Sequence, residues 1–426
     1  MKEKPIVEQA NVNPTLEELD SNPGREIAGI RPRPEKFLRL KEGADFTVVK
    51  KNEHITSDRD MGDFFVFISP SAGTETKTIE APHWRTITDE GVRAEVRFDS
   101  EDESKRDFFY AVNVKGVGYL KPSAKGYPFE EYGTWTIKDE DGGVNDDGYK
   151  ILGLTSRKES FGNGDLIDKA NFFAENGLRT EVYWAIADLN RLPFRGELVA
   201  TKELKKKRVL SPRIAYQPNQ VIRLMKINTR IAEANESSPD RARDMFKRAF
   251  DVFNQEGRDK KMGLPELRIG DAQHEKIFFE EFFRRMGGNL AVLLNIGYHN
   301  GNMHSANITL AAEIVDVGTV TNQIEEKYSG VGRTSLKDMR DVCYDLRLLL
   351  SAAHRIGLET GSRDGLATAF FEGFDGKFSE KEAEEKGTDP KNAKKWLSKI
   401  FDRVVTQKGN LPSLKHYEVE DWDISV

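Results

Sequence analysis

Eleven consecutive residues, Tyr298-His299-Asn300-Gly301-Asn302-Met303-His304-Ser305-Ala306-Asn307-Ile308, carry most of the short polar side chains that this chain could turn to chemistry, and nine residues after Asn307 comes Asp316-Val317-Gly318. A polar loop followed by an apolar strand and an Asp-x-Gly turn can bring an amide oxygen and a carboxylate to one divalent cation that carries nucleotide phosphates. Asn307 and Asp316 offer compact hard oxygens of the kind Mg²⁺ takes. His299 and His304 add imidazoles able to accept a proton near neutral pH, and Asn302 can orient a hydroxyl but cannot take its proton.

A second cluster lies far upstream. Tyr110-Ala111-Val112-Asn113-Val114-Lys115-Gly116-Val117-Gly118 ends an alternating apolar strand on a lysine and then opens into Gly-x-Gly. An ammonium held on a strand neutralises phosphate oxygens, and glycines let backbone amides approach them. Each cluster has a plainer alternative. Strand-end Lys-Gly turns are common, the His/Asn loop could simply cap the helix before it, and Asp316-Val317-Gly318 alone is an ordinary strand-to-turn signal. A zinc site through His299 and His304 would need further ligands, with His274 the only other histidine close in sequence.

The elements that must position these groups change character along the chain. Residues 1 to about 45 read as an extended arm or leader, rich in Pro, Glu, Asn and Arg. From about 46 to 155, strand-like runs such as Phe46–Val49, Phe64–Ile68, Ala94–Phe98 and Phe108–Val114 alternate with turn residues. A helix is expected over Asp165–Asn176, closed by Gly177, then a strand over Val182–Ala187. Beyond about 220 the apolar period becomes helical. Ser238 with Pro239 starts one helix, and long amphipathic helices are expected over 272–294 and 334–356. Lys377 to Lys395 is charge-dense and reads as a solvated helix pair, while Lys202, Lys205, Lys206, Lys207 and Arg208 read as a solvated loop or a phosphate or partner patch.

Composition bounds the rest. The 426 residues can build two or three packed units, and 38% apolar residues can bury a core while 32% charged residues give a polar surface. The expected class is therefore α+β, a sheet-rich half followed by a helical half. No run approaches the roughly 20 apolar residues of a membrane helix, the N-terminus lacks the apolar core of a secretory signal, and the single cysteine, Cys343, forms no internal disulfide. A cytoplasmic location without membrane association is the expectation. A net charge of -6 gives no global attraction to nucleic acid.

Together these residues resemble a known family. Ile296 to Ile308 with Asp316-Val317-Gly318 looks like the catalytic and metal loops of selenoprotein O, a protein-kinase-like family. More distantly it is similar to aminoglycoside phosphotransferases, whose loop reads His-Gly-Asp-x-His-x-x-Asn before an Asp-x-Gly. Val114-Lys115-Gly116-Val117-Gly118 is similar to the Leu-Lys-Gly-Ala-Gly of selenoprotein O. Ser156-Arg157-Lys158-Glu159 resembles its Arg-Glu-Phe helix, Gly177-Leu178-Arg179-Thr180 its Gly-Ile-Pro-Thr-Thr turn, and Ser211-Pro212-Arg213-Ile214-Ala215 with Gln220–Leu224 its Arg-Val-Ala segment. The likeness covers about residues 105 to 360 in patches, with a long insertion between Lys115 and Glu159.

The resemblance implies a bilobal kinase-like fold with ATP between the lobes: an arm and β extension over 1–90, an N-lobe over 91–220, a C-lobe over 221–370 and a helical tail over 371–426. It implies Lys115 with Gly116 and Gly118 on the phosphates, Arg213 as a further phosphate clamp, and Asn307 and Asp316 on Mg²⁺. Glu159 is the first partner for Lys115, with Asp165, Asp168 and Glu175 as alternatives. Selenoprotein O transfers AMP to protein hydroxyls and the phosphotransferases move the γ-phosphate, so a protein or small-molecule hydroxyl is the implied acceptor. Two departures stand out. Asn302 occupies the place of the phosphotransferase Asp, and Ala306 that of the Asp preceding the metal Asn in selenoprotein O. Either His304 or His299 then assists the acceptor, or the chain is a nucleotide-binding pseudokinase that works as a binding module.

Overall fold

The computed structural model describes residues 33–69, 75–79, 86–89, 92–99, 102, 105–115, 135–136, 150–151, 155–161, 165–194, 197–206, 217–263, 265–301, 303–319, 327–328 and 331–406. The chain divides into two compact units, Met1–Asn171 with Val182–Asn228, and Phe172–Glu181 with Thr229–Val426. The first is sheet-rich and the second helical, so the architecture is α+β with the β-then-α order expected of a kinase-like fold.

The first unit is organised by one antiparallel sheet. Its main strands are β1 (Phe46–Lys51), β2 (Thr86–Asp89), β3 (Ala111–Lys115), β4 (Val182–Leu189) and β5 (Pro218–Met225), in the order β1-β4-β5-β3-β2, and the two-residue strand Thr155–Ser156 also pairs with β5. The two strands β4 and β5 are buried along nearly their whole length, which explains why Val182–Ala187 reads as a continuous rather than alternating apolar run. Polar residues inside such a strand need partners. Arg223 sits across from Asn113 and donates to its Oδ1 from Nε (3.0 Å) and Nη2 (2.6 Å), and Asn113 in turn donates to Asn228 (2.7 Å). Lys226 is fully buried, held by Asp107 and the Phe108 carbonyl.

Several expectations change in this unit. Phe108–Val114 is not one strand: Arg106–Phe109 pairs with Ala94–Arg97, and after Tyr110 the chain joins the main sheet as β3. Phe108 through Ala111 are all buried, so in-and-out alternation fails and the chain changes sheets at Tyr110, whose N–H reaches the Met225 carbonyl. Phe64 ends a short 3-10 turn and the strand begins at Val66. Part of the expected arm is a strand, Arg33–Arg39, paired with Val66–Ser69 and Glu75–Ile79, while residues 1–32 lie outside the described residues. Lys202, Lys205 and Lys206 belong to a short helix, Thr201–Lys206, because Thr201 and Leu204 bury one side of it; Lys207 and Arg208 lie outside the described residues.

Helix α1 (Leu166–Glu175) follows, starting where Asp165 accepts the Ile167 N–H. The second unit contains α2 (Ile231–Glu236), α3 (Pro239–Asp259), α4 (Ala272–Ile296), α5 (Arg333–Arg355), α6 (Arg363–Asp375), α7 (Glu380–Glu385) and α8 (Pro390–Phe401). Pro239 occupies the first turn of α3 as expected, but Ser238 makes no side-chain cap. Phe250 stacks on Phe278 at 4.2 Å, joining α3 to α4. Helices α4 and α6 meet backbone to backbone: a Cβ on Gly287 would lie 2.0 Å from the Phe370 carbonyl oxygen, and one on Gly373 1.9 Å from that of Arg284. The charge-dense tail is less solvated than its composition suggests, since α8 buries Trp396, Leu397, Ile400 and Phe401, the last against Phe370. Trp184 and Cys343 are core residues; burial first and then the Asp345 charge push the Cys343 thiol far above its usual range.

Candidate functional site

The polar loop begins where α4 ends. Gly297 caps the helix with φ +71°, its N–H turned back to the Leu294 carbonyl and that of Tyr298 to Leu293, and a Cβ there would meet the Lys386 side chain at 2.9 Å. A left-handed residue with no side chain suits this place. Tyr298 then packs edge-on against Phe173 (5.1 Å).

The next residues hang from helix α5. The two carboxylate oxygens of Asp338 accept the N–H groups of Asn300 (2.7 Å) and Gly301 (2.8 Å), while the Lys337 ammonium donates to the Gly301 carbonyl (2.6 Å). Burial pushes the Asp338 carboxyl up to about 7, with the nearby Asp341 charge adding to the rise and the Asn300 and Gly301 N–H groups and Lys337 opposing it. Asp345, two turns further along α5, is also held well above the usual range, first by burial and then by Asp341, although it takes a bond from the Ser305 backbone.

Met303 is buried and pins the middle of the loop, and beyond it the chain docks on the start of α2. The first N–H groups of that helix, which have no intrahelical acceptor, find the carbonyls of Ile308 (Ile231 N–H, 3.0 Å) and Ser305 (Ala232 N–H, 3.1 Å). The chain then folds back on itself. Ile308 bridges Ile314, Thr309 and Glu313 close the turn around Ala312 at φ +60°, and the Val315 N–H donates to the Asn307 carbonyl at 2.9 Å. The return therefore sets the backbone of Val315, the residue before Asp316, against that of the buried Asn307.

Asp316 has φ +61°, a left-handed conformation that costs a residue with a side chain about 1–2 kcal/mol. Its N–H (2.9 Å) and that of Val317 (3.3 Å) both donate to one oxygen of Glu181, a fully buried carboxylate. Two hydrogen bonds of about 0.5–1.5 kcal/mol net each are enough to offset strain of that size. Glu181 ends a short ribbon beside the fold-back: Thr180 donates to the Ile314 carbonyl (2.6 Å), and Arg179 to that of Ala311 (2.7 Å). Arg179 also makes a bidentate pair with buried Glu256 (2.5 and 2.7 Å), which Arg285 joins at 2.8 Å.

These positions answer the sequence-based expectations unevenly. Asn307 is buried and its carbonyl is bonded to Val315, the residue before Asp316; His304 is exposed, whereas His299 is buried. Lys115 ends β3, opposite Val221 and Thr86, at partial exposure. Gly116, Gly118, Asn302 and Arg213 lie outside the described residues, as does the Glu159 side chain on the short helix Arg157–Phe161. Two of the alternatives for Lys115 have another cation: Asp165 and Asp168, one turn apart at the start of α1, hold Lys50 of β1 at 2.8 and 2.6 Å. Glu181 and Asp338 went unread. An acidic residue on the buried stripe of α5 was the available signal for Asp338.

Among the described residues no group of three or more His, Cys, Asp or Glu side chains could hold a metal, so His274, His299 and His304 do not form a zinc site. Two hard oxygens from Asn307 and Asp316 nevertheless suit Mg²⁺, which keeps waters and takes substrate phosphates to complete its shell. Among the described residues no helix is long and apolar enough to cross a membrane.

No family model matches the chain, and no curated protein sequence matches it. Similar solved structures include WaaP in complex with acyl carrier protein, at 10% identity and TM-score 0.25, covering 74% of this chain and 86% of that one. They also include ROP2 from Toxoplasma gondii, a virulence factor with a protein-kinase fold and no enzymatic activity, at 8% identity and TM-score 0.25, covering 76% and 87%. At those scores neither likeness assigns an activity, and the α+β architecture rests on the sheet and helices described above.

Proposed function

We propose that the chain is a kinase-like transferase that uses Mg²⁺-ATP to pass AMP or a phosphate to a hydroxyl of a protein or small molecule. The observation that supports this reading is the fold-back closed by the 2.9 Å bond from the Val315 N–H to the Asn307 carbonyl, which keeps the backbone just before Asp316 against that of Asn307. The sequence likeness to selenoprotein O and to aminoglycoside phosphotransferases supports it, as does a lysine ending a central strand of the sheet-rich unit. In this reading Asn307 and Asp316 hold the cation. Lys115, the backbone of Gly116 and Gly118, and Arg213 neutralise phosphate charge, with Glu159 steadying the lysine. Such reactions depend on alignment and charge neutralisation more than on covalent chemistry by the protein. His304, the exposed imidazole of the loop, is the proton acceptor for the attacking hydroxyl, and Asn302 orients it. The bound cation would supply charge neutralisation at the phosphates.

A second reading is favoured by one observation: Asn302 and Ala306 stand where the two related loops carry an Asp. A chain without that base can bind nucleotide and act as a regulatory module. Thermal shifts with ATP, with and without Mg²⁺, test binding. Incubation with ATP labelled on the α or the γ phosphate then separates AMP transfer, phosphate transfer and binding alone. Absence of any nucleotide-dependent shift would refute both readings.

A further inference from the structure

We infer that Glu181 is a positioning residue for the cation site: by reach rather than by charge, its carboxylate holds the turn that aims Asp316. The inference rests on the reading of Asn307 and Asp316 as the cation's ligands. Asp316 is one of three residues other than glycine with positive φ among the described residues, and the other two are Lys261 and Ala312. Left to itself, an aspartate would relax toward the extended or helical region, and its carboxylate would swing away from Asn307. What prevents this is a single oxygen, Glu181 Oε1, that takes the N–H of Asp316 and of the residue after it. Two consecutive amides converging on one acceptor fix both the φ of Asp316 and the plane of the following peptide.

Glu181 itself cannot drift. It is fully buried, Thr180 before it is bonded to Ile314, and Arg179 is locked to Glu256 and to the Ala311 carbonyl. The Asn289 amide accepts the Arg179 N–H (3.0 Å) and donates to the Ala312 carbonyl (3.0 Å), tying the ribbon and the fold-back to the same side chain of α4. The ribbon thus reaches the turn through Ala311, Ile314, Asp316 and Val317. These contacts hold the backbone around Asp316, so the role inferred for Glu181 is exerted through Asp316.

Two conservative variants separate reach from charge. Glu181→Gln keeps the acceptor oxygen at the same distance, whereas Glu181→Asp keeps the charge but withdraws the oxygen by one methylene. The measurement is calorimetric affinity for ATP in Mn²⁺ and in EDTA, whose ratio gives the cation's contribution. Expected for Glu181→Asp is a fall in that ratio of at least about tenfold with affinity in EDTA unchanged; for Glu181→Gln, a ratio within about threefold of the parent. Amide exchange at Asp316 and Val317 in the ligand-free protein provides the second measurement, with protection lost in Glu181→Asp and kept in Glu181→Gln. Equal falls in both variants, or a parental ratio and parental protection in Glu181→Asp, would overturn the inference while leaving the nucleotide reading standing. A parent protein whose ATP affinity ignores Mn²⁺ would overturn the cation reading and this inference with it.

Discussion

Replacing Asp338 by asparagine tests how the polar loop is held, and the structure gives both the size and the pH dependence of the effect. In the folded chain the carboxyl titrates at about 7 against an ordinary value of 3.8, chiefly because it is buried. Between those values the native state binds a proton that the unfolded chain does not. The contribution of this group to stability is therefore fully present below pH 3.8 and is lost as pH rises through about 7, at about 1.4 kcal/mol per pH unit. Because the native group is already half ionised at pH 7, the loss from pH 5 to pH 7 amounts to about 2 kcal/mol in the parent protein. Asp338→Asn has no such dependence. It leaves one backbone N–H of Asn300 or Gly301 facing an amide donor, a cost of about 1–3 kcal/mol that is the same at every pH. Urea denaturation of both proteins at pH 5, 6, 7 and 8 should show the variant less stable at pH 5 and the difference shifting in its favour by about 2 kcal/mol by pH 7. Asp345 is present in both proteins and cancels to first order. A gap that stays constant across the series would refute the assignment of the titration to Asp338.

Four further outcomes follow from positions already described. Gly373→Ala places a methyl inside the Arg284 carbonyl and should cost at least about 3 kcal/mol, read as a fall in the urea midpoint; a change under 1 kcal/mol would mean the helices separate freely. Glu256→Gln strips the buried charge from beneath Arg179 and Arg285 and should destabilise by about 3–5 kcal/mol, which an unchanged midpoint would contradict. Asp316→Ala should abolish the Mg²⁺-dependent part of the ATP thermal shift without lowering the melting temperature of the free protein, and Lys115→Ala should weaken ATP binding more than it lowers stability. Equal losses of both in the lysine variant would mark Lys115 as structural.

Much of the frame could be read from local pattern, for reasons that separate what was legible from what was not. The apolar period over 272–294 and 334–356 recovered α4 and α5 within two residues at each end, because a stripe every three or four residues has one geometric solution. The short return from Asn307 toward Asp316 was legible because only eight residues separate them, and the chain folds back there through the Ile308–Ile314 bridge. Their supports were not legible. Glu181 lies 135 residues from the amide it receives and Asp338 lies 38 from Asn300, and nothing local marks a carboxylate that is buried to hold a distant backbone. Asp165 and Asp168 show the same limit from the other side: the helix was foreseen, but the lysine it would hold depended on which strand came to its first turn.

The seam between α4 and α6 has a consequence for the history of this chain. With a carbonyl about 2 Å from the position of a side chain on each helix, neither glycine position can accept an alanine first and wait for the other to adjust, because the obstruction is main chain and no substitution removes it. A descendant that swaps either glycine must move a whole helix axis at once. Any distant cousin sharing this crossing should thus betray itself by bare backbone at both places, even where every polar residue of the loop has been exchanged.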